Sequence, residues 1–384
     1  MRVVIDAVGI GGHGGAAVLL ELFHWLPRVR KGWTWHWIIL DRTCREFPDP
    51  VIDASGVTVE QTRHGGSGAS RLMWLSRSLP ERVRKLRADV VLSFANIGMP
   101  RPPVPNVVFL HQANIFPSSS GERQTGMKTV RYRVLRYLIL RGLRKASGVI
   151  VQTESMKRDL RLLAPWYTRP AHVIPSGCRT DEGTELSEKT RALLESLGTA
   201  PIVSYVSLPR PHKNHARLLE AWQLVARRVP AARLLLTVDK KGASNEAFAR
   251  IAEQLAARAA GLGIEPSVVW AGELPPADIP HLLRRSSLLV FPSLVESFGL
   301  PLAEALCADC PIAAADLPYA HDVAEGAALY FDPLSAESIC AAIVTLMKDR
   351  EVREKISRAG VEVRERYQYE SIAGMIAAAL EGAA

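Results

Sequence analysis

Two glutamates flanking a glycine-proline turn mark the chemically richest stretch of this 384-residue sequence, Phe291-Pro-Ser-Leu-Val-Glu296-Ser297-Phe298-Gly299-Leu300-Pro301-Leu-Ala-Glu304-Ala-Leu. A strand ends at Phe291, a turn follows, and Pro301 opens a helix, a position where its missing N–H would be unpaired in any residue. The N–H groups around Gly299 and Leu300 then form an anion site at the carboxyl edge of a strand. Glu304 is expected in the first turn of that helix, where a carboxylate can accept both hydrogen bonds of a ribose diol, as acidic residues do in dinucleotide folds. Glu296, ahead of the turn, can bind sugar hydroxyls from the other side of the same pocket. The plainer alternatives are a glutamate that only complements the helix dipole and a solvated loop glutamate.

A second anion-binding pattern opens the chain. Gly9-Ile-Gly11-Gly12-His13-Gly14-Gly15 follows the first predicted strand and precedes an apolar helix, giving G-x-G-x-x-G spacing, and Asp41 closes the second predicted strand. Glycines let backbone N–H groups and a helix N-terminus approach an anion. That loop alone would fit an NAD-dependent enzyme, and it would fit equally a helix that merely packs close to its strand. The preferred reading puts Gly14 and Gly15 near a transferred group in an interdomain cleft.

These segments need rigid elements to hold them. Short apolar runs alternate with patterns of period near 3.6, the signature of βαβ units and a parallel sheet. Strands are predicted at Val3 to Ile5, Trp35 to Leu40, Val57 to Glu60, Val90 to Phe94, Val107 to His111 and Gly148 to Gln152. A second series runs through Ile202 to Val206, Arg233 to Val238, Val268 to Ala271, Leu288 to Phe291, Ile312 to Ala314 and Ala328 to Phe331. The stretch from Pro175 to Ala200 interrupts the alternation and is the candidate linker. A chain this long exceeds one ordinary core. The expected architecture is therefore α/β with two Rossmann-like, doubly wound domains: an N-terminal domain over residues 1–180, a C-terminal domain over residues 181–366, and a closing helix in residues 367–384 that packs on its own domain or crosses back to the first.

The segment from Phe291 resembles the E-x7-E motif of retaining glycosyltransferases of family 4, which have the GT-B fold, two Rossmann-like domains facing a central cleft. The resemblance continues through Ala313-Ala-Ala-Asp316-Leu-Pro318 and Ala327-Ala-Leu-Tyr-Phe-Asp332-Pro333. Upstream, Val206-Ser-Leu-Pro-Arg210-Pro-His-Lys213-Asn214-His215 is similar to the family's phosphate-binding turn. There Lys213 and Asn214 match directly, whereas Leu208 takes the place of the family's arginine and Arg210 stands two residues later. In the N-terminal half, His111 looks like the family histidine that touches the donor sugar near the reacting carbon, and Ile174-Pro-Ser176-Gly177 resembles the hinge motif with serine for asparagine. What the resemblance implies is a catalytic set of Glu296, His111, Lys213 and Arg210, and a donor-binding set of Gly14, Gly15, Ser297, Phe298, Gly299, Leu300 and Glu304. Lys213 and Arg210 would neutralise the donor diphosphate, so neither a metal nor another cofactor is required. An ordinary surface lysine and a satisfied strand-end histidine are the plainer readings of Lys213 and His111.

Composition frames this picture. With 48% hydrophobic and 23% charged residues the chain reads as a folded protein that can bury a sizeable interior. It carries no run of 18 apolar residues and opens on a strand, so neither export nor membrane spanning is expected. The formal charge of +9 is uneven: residues 1–177 hold 26 Lys+Arg against 12 Asp+Glu, the remainder 22 against 27. Such a field would attract an anionic membrane surface or a phosphorylated acceptor, and although it would also suit nucleic acid, no nucleic acid is expected as a partner. Lys128 to Lys145 carries seven basic residues among Val, Tyr, Leu and Ile, and Arg71 to Arg87 another six, which suits a basic amphipathic surface or simply a solvated side of a core-facing helix. Cysteines 44, 178, 307, 310 and 340 are too few and scattered for a disulfide scaffold, and Cys307-x-x-Cys310 reads as small core or loop residues. A reducing cytoplasm, with attachment to the cytoplasmic face of the inner membrane, is the expected setting.

The resulting expectation is transfer of a hexose-like sugar from a nucleoside diphosphate sugar to an acceptor hydroxyl, with retention of configuration, in bacterial polysaccharide or glycolipid assembly. The acceptor would be a glycan or lipid-linked precursor. A nucleotide-sugar epimerase on the same fold and a noncatalytic nucleotide or sugar binder are the rival readings.

Overall fold

The computed structural model describes residues 1–10, 13–41, 56–66, 68–116, 127–179, 185–240 and 246–384. The chain divides into two compact units, one made of Met1–Gly177 with Gln368–Ala384, the other of Cys178–Tyr367. Each is a parallel sheet with helices on both faces.

In the first unit the strands are β1 (Arg2–Asp6), β2 (Thr34–Leu40), β3 (Val57–Thr62), β4 (Val90–Ser93), β5 (Asn106–Leu110), β6 (Gly148–Val151) and β7 (Ala171–Val173), in spatial order β3-β2-β1-β4-β5-β6-β7. Alternate side chains serve opposite faces: Val3 and Ile5 join a core with Leu19, Leu22 and Leu26 of the first helix, His13–Val29, whereas Val4 joins Trp74, Leu79, Ile139 and Leu143. Burial on both faces explains the near-continuous apolar character of β1, β4 and β5. The C-terminal helix Tyr369–Glu381 belongs to this unit, with Tyr369, Ile372, Ala373, Ile376 and Leu380 in the same core as Leu19 and Leu22. Gly177 sits beside it because a Cβ there would come within 2.6 Å of the Tyr369 ring.

The second unit contains β8 (Ile202–Tyr205), β9 (Arg233–Leu236), β10 (Val268–Trp270), β11 (Leu288–Phe291), β12 (Ile312–Ala315) and β13 (Leu329–Phe331), ordered β10-β9-β8-β11-β12-β13. Its core gathers Tyr205, Leu218, Trp222, Leu289, Phe291, Leu302, Ile339 and Ile343. In both sheets the order reverses beside the first strand of the unit, between β1 and β4 and between β8 and β11. Loops leaving the carboxyl ends of such a strand pair diverge and open a crevice. Short strand β7, Ala-His-Val, half-exposed at a sheet edge, lacks the β-branched run that would reveal it in the sequence. The stretch from Pro175 to Ala200, expected as the linker, contains a helix, Glu188–Ser196, while residues 180–184, around the expected domain boundary, lie outside the described residues.

Candidate active site

Lys213 follows β8 and Glu296 follows β11, the neighbouring strands at the reversal point of the second unit. Their side chains form an ion pair, Lys213 Nζ donating to Glu296 Oε1, which also accepts from Ser293 Oγ at 2.6 Å. The ammonium lies over the Phe291 ring, 5.7 Å from its centroid. The two side chains are only 17% and 12% exposed, so the pair sits in a recess that keeps it in reach of a ligand. The turn carrying Lys213 is fixed from three sides. Tyr205 donates its hydroxyl to the Lys213 carbonyl at 2.6 Å, Leu294 N–H donates to His212 O at 2.8 Å, and left-handed Asn214 donates to Pro292 O and Pro333 O at 3.1 and 2.8 Å.

Sequence reasoning passed over His212, Ser293 and Tyr319, because nothing in their spacing announces them. Tyr319 donates to Ser293 O at 2.6 Å, holding the loop from beneath. His212 is pushed down to about 4, first by burial and then by the charge of Lys213, so it stands neutral at pH 7. A neutral imidazole between two cations and a carboxylate adds polarity without adding charge.

Leu300–Cys307 is the helix that follows the motif, entered through Gly299 in a left-handed conformation at φ 88°. A Cβ at Gly299 would approach Leu302 Cδ1 to 3.2 Å and Phe291 Cε1 to 3.3 Å. At the entry of this helix Pro301 carries no N–H and Leu302 N–H donates to Gly299 O at 2.8 Å, so the donors left for an anion are those ahead of Pro301. The helix begins at Leu300, one residue before Pro301, which makes Glu304 its fifth residue. This corrects the expected first-turn position: Glu304 is too deep for a simple dipole role and is buried at 7% exposure. Burial pushes its carboxyl up to about 7, and the charge of Arg179 opposes that rise. Phe298 turns inward, its ring meeting Tyr367 edge-on at 5.6 Å, so any part it has in binding a donor falls to its backbone. Ser297 on the loop and Leu300 at the head of the helix remain half-buried.

Arg210 is exposed, with its guanidinium 5.2 Å from the Phe248 ring centroid, and it shares with Glu296 and Lys213 an electrostatic influence on His212. It therefore borders the Lys213 turn without joining the ion pair.

In the first unit, His111 leaves the carboxyl end of β5 and Gly14 and Gly15 begin the helix after β1. The His111 N–H donates to Asn96 Oδ1 at 2.8 Å, and its ring packs against Phe94 and Phe109 at 5.4 and 5.7 Å. Burial lowers it to about 4, leaving it neutral. Gly14 is exposed with open space at its Cβ position, whereas a Cβ at Gly15 would come within 3.3 Å of Ile10. Gly11 and Gly12 of the glycine-rich pattern lie outside the described residues. Asp41 pairs with Arg63 at 3.3 Å on the surface.

Cys307 departs from its expected role as a small core or loop residue: it forms a disulfide with Cys178, 129 residues away, because the fold returns the entry of the second unit to the end of the Leu300–Cys307 helix. Cys310 and Cys340 are buried free thiols, and Cys44 lies outside the described residues. Among the described residues no group of three or more His, Cys, Asp or Glu is placed to hold a metal, and no helix is long and apolar enough to cross a membrane.

Comparison with known proteins gives the arrangement a context. The family model "Glycosyltransferase Family 4" matches residues 12–182, and "Glycosyl transferases group 1" matches residues 187–363. Mannosylfructose-phosphate synthase of Agrobacterium fabrum is 26% identical over 216 residues, 55% of this chain and 47% of that protein. O-antigen chain mannosyltransferase B of Escherichia coli is 25% identical over 167 residues, 44% of this chain and 42% of that protein. In each case the match spans less than half the length of the relative. Sucrose-phosphate synthase from Thermosynechococcus elongatus superposes with a TM-score of 0.76 at 18% identity, covering 100% of both chains, which shows a shared fold.

Proposed function

We propose a sugar-transfer reaction for this chain, which belongs to the glycosyltransferases of GT-B fold: it moves a hexose-like unit from a nucleoside diphosphate sugar to an acceptor hydroxyl, with retention of configuration. The observation that carries the reading is the recessed Lys213–Glu296 pair at the reversal point of the second sheet, beside the N-terminus of the Leu300–Cys307 helix. Lys213, with Arg210 at its border and the helix N–H groups, meets the negative charge that grows on a departing diphosphate. A compact ammonium serves that purpose as a point charge and a guanidinium as a fork. Glu296, released from Lys213 as the phosphates arrive, accepts from sugar hydroxyls. Glu304 accepts from the ribose diol. The diphosphate takes the acceptor's proton in place of a side-chain general base, and no side chain is assigned as a covalent nucleophile.

The first unit, in this reading, offers the acceptor, with His111, Gly14 and Gly15 as its proposed sugar-binding residues. Matches of both halves to glycosyltransferase models favour transfer over epimerisation or simple binding. A lipid-linked glycan or polysaccharide precursor is the acceptor class, reached by peripheral attachment to the cytoplasmic face of the inner membrane. Supporting this, the helix Met127–Leu143 exposes Val130, Val134 and Tyr137 along one flank, with Arg133 and Arg141 exposed beside them. Apolar groups rimmed by cations suit an anionic lipid surface. Vesicle flotation checks it: binding should strengthen with anionic lipid and fade with salt, and indifference to lipid charge refutes it.

The donor site is tested by thermal shift against UDP, GDP, ADP, CMP, dTDP and NAD. One diphosphate should raise the melting temperature, a gain of about 2.7 kcal/mol at a hundredfold excess over Kd. Glu304→Ala and Lys213→Ala should lose it. Stabilisation by NAD alone would overturn the reading.

A further inference from the structure

The chain enters its second unit at Cys178, which is 5% exposed and tied twice within that unit. Its sulfur is bonded to Cys307, with the two Cα atoms 6.7 Å apart, and its N–H donates to Tyr367 O at 2.9 Å. Cys307 closes the helix that carries Glu304, three residues further along, so the two share a flank one turn apart. The residue after Cys178 is Arg179, whose positive charge acts on the buried Glu304 carboxyl. A covalent link thus anchors the backbone next to Arg179 on the same short helix as the carboxylate assigned to the ribose.

We propose that Arg179 is a positioning residue for Glu304 in the nucleotide site, held there by the Cys178–Cys307 disulfide, and that donor affinity depends on the redox state of this pair. The inference rests on the donor site described above. The positive charge of Arg179 favours the ionised form of Glu304 against the burial that raises it, and an ionised carboxylate accepts both diol hydrogen bonds where a protonated one must donate at one oxygen. Severing the link leaves Arg179 with a wider range of positions and Glu304 with a weaker counter-charge. Cys307 is half-exposed and open to an external thiolate. In the exchange, one thiolate of a dithiol attacks Cys307 Sγ and Cys178 leaves as the thiolate and takes a proton. The second thiol then closes the reagent's own disulfide and frees Cys307, so the protein gains two hydrogens and the dithiol loses two.

The test is calorimetric titration of the full chain with UDP, GDP, ADP and dTDP, after oxidised glutathione and after a dithiol, with alkylation and mass spectrometry to count free thiols. The oxidised chain should bind its preferred nucleotide about tenfold more tightly than the reduced one, the scale of one charge-assisted hydrogen bond. Cys178→Ser should bind like the reduced chain and ignore the dithiol. Arg179→Ala should raise the donor KM by a similar factor with kcat retained, and Arg179→Lys should recover part of the loss. Since Cys178→Ser can act through folding, reduction of the unmodified chain and the arginine variants carry the test independently, with circular dichroism confirming the fold. Equal affinity in the two redox states, unchanged KM in Arg179→Ala, or thiols that remain fully alkylatable after oxidation each overturn the inference. Absence of nucleotide binding in both states instead defeats the donor-site reading on which it stands.

Discussion

The two units place an ion pair at the same topological position and treat it in opposite ways. In the first, Asp6 ends β1 beside the sheet's reversal point and is sealed, at 0% exposure, by Arg71 at 2.9 Å, by Trp74 Nε1 at 3.0 Å and by the N–H of Val8 at 3.3 Å. In the second, Lys213 and Glu296 meet at the mouths of β8 and β11 with part of each side chain in reach of solvent. A charge sealed on every side has no partner to exchange, and its neighbours hold a loop in shape. A pair left partly open can trade partners, the cation for phosphate and the carboxylate for hydroxyls. One doubly wound sheet thus uses the reversal point as a clamp, the other as a receptacle.

Breaking each pair should separate these roles. The largest effect is expected from Lys213→Ala and Glu296→Ala, each lowering kcat by about two to three orders of magnitude, the cost of removing a preorganised electrostatic contact. Glu296→Ala should leave nucleotide binding nearly intact; a glycosyl adduct trapped on Glu296 would contradict its assignment as a positioning group. Asp6→Ala should act on folding instead, leaving Arg71 buried without its partner at a cost of about 3–5 kcal/mol in denaturant unfolding. Should Asp6→Ala unfold like the parent chain while losing turnover, the contrast between clamp and receptacle collapses.

Protonation sharpens the comparison on a finer scale. Glu304 is raised from 4.5 to about 7 by burial, so between these values the folded chain holds a proton that the unfolded chain has released. Its contribution to stability is present in full below pH 4.5 and fades as pH rises through 7. Nucleotide affinity should run the other way, rising through pH 7 as the carboxylate forms, and Glu304→Gln should flatten both slopes. His111, lowered from 6.5 to about 4, gives the reverse sign for stability: its contribution is complete above pH 6.5 and is lost as pH falls towards 4. The smallest effect is then the absence of any step in turnover between pH 7 and 8 assignable to His111, read by comparing the parent with His111→Gln.

Much of the fold was legible because both sheets are buried on two faces, which writes strands as continuous apolar runs such as Val3-Val4-Ile5 and Leu288-Leu289-Val290-Phe291. Strand β7 escaped because Ala171-His172-Val173 is three residues long and half-exposed. Lys213 and Glu296 could be named from their motifs, but their mutual ion pair could not, since it depends on β8 and β11 being neighbours while 82 residues separate the last residue of one strand from the first of the next in line. The Cys178–Cys307 bond was hidden for the same reason, as spacing along a chain carries no record of where the chain returns. Glu304 was displaced from the first turn by a single residue, because proline is tolerated at the second helical position as well as the first.

The C-terminal helix Tyr369–Glu381 carries a consequence for biosynthesis. Leu19, Leu22 and Leu26, made early, share their core with Ile372, Ile376 and Leu380, made late. The unit whose residues are contiguous, Cys178–Tyr367, has all its parts before that helix leaves the ribosome. Order of synthesis and order of completion are therefore inverted: the half translated second is the first that can close, and the half translated first waits with an apolar face uncovered, the state in which nascent chains engage chaperones.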